Sequence, residues 1–106
     1  MSRPRVIKIG TAKFKVRYIK NMDDESVGLT HKERHEIHIE STMPEHAIKA
    51  TLFHEVFHAI AWVYGFNPPT KNPYDMEEAI VCLFSNPLLT VLLENDTLRR
   101  YLLDID

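Results

Sequence analysis

The residues with the strongest capacity for chemistry fall in one short stretch, His54-Glu55-Val56-Phe57-His58. On a helix, positions four apart lie one turn above each other on the same face. Two imidazoles at that spacing can reach one metal ion. The carboxylate between them projects close to that face and can take a proton from a metal-bound water without ligating the metal. The pattern therefore predicts His54 and His58 as metal ligands and Glu55 as a general base.

The flanking residues predict the helix that would carry them. Thr42-Met43-Pro44-Glu45 offers a capping Thr, an early Pro and an acid three residues after the Thr. Gly65 supplies the stop, so the helix is expected over residues 43–64. Ile48, Leu52, Val56, Ile60 and Val63 form a stripe, widened by Phe53, Phe57 and Ala59, that predicts burial of most of the helix. Thr51, His54, Glu55 and His58 occupy the remaining polar strip, where an isolated charge is costly unless paired or bound to metal.

A zinc ion that activates water takes a third protein ligand and keeps a fourth position open. A second helix is expected over residues 73–85, with Asn72 as cap and Pro73 in its first turn. It carries Glu77 and Glu78. Glu78 lies one turn after Tyr74 and one turn before Cys82, whereas Glu77 groups with Pro73 and Val81. Glu78 is the preferred third ligand and Glu77 the alternative. Tyr74, on the Glu78 face, is a candidate donor to a tetrahedral oxyanion, with packing over the helix start as its other reading. A closed structural site would need four ligands, often cysteines, and the chain has only Cys82, which reads as a small core residue.

A His-Glu-x-x-His helix followed by a helix-borne Glu is similar to gluzincin-type zinc metallopeptidases. More narrowly, Leu52-Phe53-His54-Glu55-Val56-Phe57-His58-Ala59 with Glu77-Glu78-Ala79 resembles the small ImmA/IrrE-like metallopeptidases of phages and mobile elements, across residues 35–90. The resemblance implies Zn2+ held by His54, His58 and Glu78, with Glu55 as base. It also implies hydrolysis of a protein or peptide substrate, such as a regulatory protein of a phage or mobile element. Ile80 stands where that family has an Asn, removing an amide of the kind that orients ligands. The alternative is a non-catalytic zinc-binding regulatory or protein-interaction module on the same scaffold. Iron, cobalt and nickel suit the same donors.

The 106 residues, 44% hydrophobic and 26% charged, predict one domain spanning residues 1–106. A net charge of −2 with mixed signs argues against nucleic-acid binding as the main function. No run is long enough to span a membrane, no secretory signal pattern is present, and one cysteine excludes an internal disulfide framework. The expectations are a cytoplasmic location, no nucleic-acid or membrane partner, and a monomer or weak dimer.

The fold class expected is α+β, with a small antiparallel sheet of three or four strands from residues 5–40 followed by a helical second half. Val6-Ile7-Lys8-Ile9 and Phe14-Lys15-Val16-Arg17-Tyr18-Ile19-Lys20 alternate around a turn at Gly10. Residues 21–26 read as a polar loop. Residues 27–31 and 35–40 flank the turn Lys32-Glu33-Arg34 as a hairpin, with His31 and His35 beside the turn. Ile37 and Ile39 face inward, leaving Glu36, His38 and Glu40 on a solvated outer face. Residues 35–40 are expected to accept an extended peptide as an added strand. Asn86-Pro87 predicts a helix break, followed by helical residues 87–103 interrupted at Asn95-Asp96. In the last piece, Leu98, Tyr101, Leu102 and Leu103 are expected to close the core rather than form a dimer contact.

Overall fold

A computed structural model describes residues 2–23, 25–65 and 72–104; between residues 73 and 86, side chains are described only for Met76, Ala79, Ile80 and Phe84. The chain forms β1 (Val6–Ile9), β2 (Ala12–Ile19), β3 (Gly28–His31), β4 (Glu36–Glu40), α1 (Glu45–Val63), α2 (Pro73–Glu94) and α3 (Asp96–Leu103). This is the expected α+β architecture.

Alternation in β2 places Phe14 and Val16 in the core and Lys13, Lys15 and Arg17 outside. β1 and β2 form an antiparallel hairpin through Gly10, whose φ of +62° lies in the left-handed region that glycine enters without steric cost. β3 and β4 form a second antiparallel hairpin.

The sheet order is β1-β2-β4-β3, with β2 and β4 parallel. The sheet is therefore mixed, where hairpin reasoning alone predicted antiparallel pairing throughout. The second hairpin docks by its later strand because β4 carries Ile37 and Ile39, both fully buried. β3, with exposed Leu29, is left at the edge.

Ile7, Ile9, Phe14, Val16, Ile37 and Ile39 pack against Ile48, Leu52, Val56, Ala59 and Ile60 of α1. Val91, Leu98 and Tyr101 close the far side. Thus α3 does complete the core, although Leu103 remains 62% exposed.

Two helix boundaries differ from the sequence expectation. Thr42 does not cap α1; its hydroxyl donates to the Glu40 carboxylate at 2.7 Å, and Pro44 takes the N-cap position with no side-chain bond. α2 runs through Pro87 without ending. A helical proline forfeits one backbone bond, but Leu88 and Val91 just beyond it pack on the core and hold the helix in place. The interruption at Asn95 is present. Its side chain accepts from the Lys8 N–H at 2.8 Å and donates to the Lys8 carbonyl at 2.9 Å, pinning the helix end to β1. Gly65, with φ +66°, ends α1 as expected. Among the described residues no helix is long and apolar enough to cross a membrane.

Candidate functional site

α1 brings His54 and His58 together on its exposed side, with their Nε2 atoms 3.1 Å apart and ring centroids 4.8 Å apart. One imidazole N–H can donate to the other ring's lone pair at that distance. Glu55 takes a different direction. It is 6% exposed and turns toward β3, where the Thr30 hydroxyl donates to its carboxylate at 2.7 Å. The same hydroxyl lies 3.1 Å from the Glu55 backbone carbonyl. The three residues of the motif are thus divided between a solvent-facing imidazole pair and a buried carboxylate tied to the sheet.

The close approach of β3 to α1 depends on Gly28. A Cβ at that position would lie 2.5 Å from Thr51 Cγ2 and 3.0 Å from Glu55 Oε2. Gly28 and Thr30 share the inward face of the strand by the period-two rule, one providing space and the other a hydroxyl. Sequence reasoning missed both residues. A glycine inside an alternating strand is itself a sign of close backbone approach, so Gly28 carried a readable signal.

The metal expectation can be tested on this donor set. His54 and His58 are placed so that both ring nitrogens could face one ion, but a catalytic zinc takes three protein ligands. Among the described residues no group of three or more His, Cys, Asp or Glu side chains could hold a metal ion. Tyr74, Glu77 and Glu78 fall within the α2 backbone, and their side chains lie outside the described part of the structure. The described donors do not fit a zinc centre. This overturns the zinc-dependent endopeptidase expected from the motif, and with it the zinc-binding module on the same scaffold.

What the site does contain is a groove between β3 and α1. It encloses about 400 Å³ and is lined in part by Val27, Gly28, Thr51, His54 and Glu55. The register indicates which backbone groups border it. The Val27 carbonyl accepts from the Glu40 N–H at 2.8 Å, and Leu29 and His31 follow opposite His38 and Glu36. In an antiparallel pair, hydrogen-bonded and non-hydrogen-bonded positions alternate. Val27, Leu29 and His31 therefore bond to β4, while the N–H and C=O groups of Gly28 and Thr30 point away from it, toward the sheet edge. Residues 35–40 cannot lend an edge to a peptide as expected, because β4 is flanked by β2 and β3.

On the outer sheet face, Glu36 and Glu40 are each 9% exposed, not solvated as expected. Glu36 Oε1 lies 2.9 Å from His38 Nε2, 3.3 Å from Arg17 Nε and 3.6 Å from an Arg34 guanidinium nitrogen. The His38 bond, aided by the two cations, holds this carboxyl below the usual range. Glu40 accepts from the backbone N–H groups of Met22 at 2.6 Å and Asn21 at 3.0 Å and from the Thr42 hydroxyl, which lowers its pKa to about 2. His31 packs edge-on against His38, with centroids 4.4 Å apart. His35 instead sits between Phe14 and Trp62, which separates the two turn histidines.

No protein family matches this chain, and no curated protein or solved structure shows significant similarity to it.

Proposed function

We propose that this chain binds an extended polypeptide segment along the free edge of β3, over the groove that β3 forms with α1. The observation that carries the reading is the outward direction of the Gly28 and Thr30 backbone groups. An edge strand with outward N–H and C=O groups is a template for strand addition, in which main-chain bonds supply affinity and neighbouring pockets supply selectivity. Thr51 and His54 place a hydroxyl and an exposed imidazole on the groove wall, where they can contact side chains of the added segment.

The reading assigns Glu55 a positioning role. Its bond to Thr30 fixes the height of β3 above α1 and hence the shape of the groove. No bond-breaking step is assigned to it.

The test begins with selection from a displayed library of linear peptides, followed by affinity measurements on Thr30→Val and Thr30→Pro. Valine removes the hydroxyl and keeps the outward N–H; proline removes both while leaving the β4 ladder intact. A selected peptide should bind wild type best, Thr30→Val less because the Glu55 bond is gone, and Thr30→Pro at least tenfold less than Thr30→Val. Failure to select any binder, or equal binding to all three proteins, would overturn the reading.

A further inference from the structure

We propose that the outer face of the sheet, remote from the α1 groove, binds the phosphodiester backbone of a nucleic acid strand without reading its bases. Lys13, Lys15 and Arg17 are successive outward residues of β2 and all are exposed. At the rise of a strand their Cα atoms are spaced by about 6.7 Å, which sets three cations in a straight row. Arg34, whose side chain is 65% exposed, adds a fourth from the turn between β3 and β4.

The acids on this face are already occupied. Glu36 is shared by His38, Arg17 and Arg34, and Glu40 is held by the Asn21 and Met22 backbone and by Thr42. Lys13 and Lys15 make no ion pair among the described residues. The face is therefore locally cationic although the chain is not. Residues 1–40 contain nine Lys and Arg against six Asp and Glu, whereas residues 41–106 contain four against nine. Fields at the protein surface are screened beyond about 8–10 Å in physiological salt, so the local patch matters more than the net charge of −2.

What the face offers selects the class of polyanion. β2 pairs with β1 along residues 12–15 and with β4 along residues 15–19, and these backbone bonds lie in the plane of the sheet, so the face itself offers only side chains. An acidic polypeptide would gain no main-chain bonds there. A sugar-phosphate strand carries a charge at every repeat and needs none. Phe14, Val16, Ile37 and Ile39 all point into the core, so these inner strands offer no Phe, Tyr or Trp ring for stacking bases at the row of cations.

The experiment is fluorescence anisotropy of a labelled mixed-sequence single-stranded oligonucleotide, titrated with the full chain at several salt concentrations. Lys13 and Lys15, with Arg17 and Arg34 sharing the single Glu36 carboxylate, leave a net of three charges for phosphates, which predicts a log–log salt slope of roughly −2. Lys13→Glu with Lys15→Glu should weaken binding at least tenfold while circular dichroism stays unchanged. Arg100→Ala, on α3, should bind as wild type. Absence of binding at low salt, equal weakening in Arg100→Ala, or tighter binding of poly-glutamate than of the oligonucleotide would overturn the proposal.

Discussion

The Thr30 hydroxyl donates to the Glu55 carboxylate across 2.7 Å, joining the free edge strand of the sheet to the middle of α1. Glu55 is 6% exposed. A buried carboxylate that loses its donor carries the cost of its own desolvation, about 1–3 kcal/mol. Thr30→Val should therefore lower stability by that amount in urea unfolding at neutral pH. Thr30→Val combined with Glu55→Leu should recover part of the loss, because neither group then needs a partner. A double variant no more stable than Thr30→Val would show that the hydroxyl contributes by some route other than this bond.

Gly28 is the second determinant of the groove. Its missing Cβ would meet Thr51 Cγ2 at 2.5 Å, well inside contact distance. Gly28→Ala should push β3 away from α1 and cost about 1–3 kcal/mol, the range for overpacking. Thr51→Ser deletes the methyl that clashes. The pair Gly28→Ala with Thr51→Ser should regain much of the lost melting temperature, leaving the residual 3.0 Å approach to Glu55 Oε2. A pair that melts no higher than Gly28→Ala alone would place the strain elsewhere.

The parts of the fold legible from sequence were those where one local rule dominates. Alternation marked the strand pair around Gly10 and put Ile37 and Ile39 of β4 in the core, and Gly65 marked a helix end. Strand order was not legible, because alternation says which face of β4 is buried and nothing about which strand lies beside it. Pro87 was misread for a related reason: the rule that proline ends a helix is local, and the packing of Leu88 and Val91 that overrides it is not. At the site, spacing correctly put His54 and His58 side by side. It could not show that Glu55 turns to Thr30, since the partner comes from a strand 25 residues earlier.

Glu40 should make the protein acid-sensitive over a defined window. Its folded pKa is lowered to about 2 from an ordinary 4.5, chiefly by the Met22 backbone N–H, with the Thr42 hydroxyl and the Asn21 N–H adding to it. A lowered carboxyl pKa contributes stability that is present above the unfolded value and is lost as pH falls through the folded one. Wild type should therefore lose melting temperature steadily between about pH 4.5 and pH 2. Glu40→Gln should melt lower than wild type at pH 7, with the gap narrowing as pH approaches 2. A constant gap across that range would mean that the charge on Glu40 is not what the loop 21–22 bonds reward.

Tyr101 sets the corresponding alkaline limit. It is 1% exposed, and its hydroxyl donates at 2.9 Å to Glu45, which also accepts two bonds from Arg3. Burial first, and the Glu45 carboxylate second, push its pKa up to about 12 from 10.0. A raised tyrosine pKa contributes stability that is fully present below the unfolded value and is lost as pH rises through the folded one. Tyr18, whose hydroxyl donates to the Pro4 carbonyl at 2.7 Å, is shifted in the same direction by burial. Wild type should therefore begin to lose stability above about pH 10, with Tyr101 contributing its part by about pH 12. Tyr101→Phe removes the bond and the titration together. It should cost about 1 kcal/mol at pH 7, or roughly 4–8 °C in melting temperature, and flatten the alkaline slope. Absorbance of tyrosinate followed through the same titration separates this from general unfolding: wild type should show at least one tyrosine ionising only as the fold melts, and Tyr101→Phe one fewer.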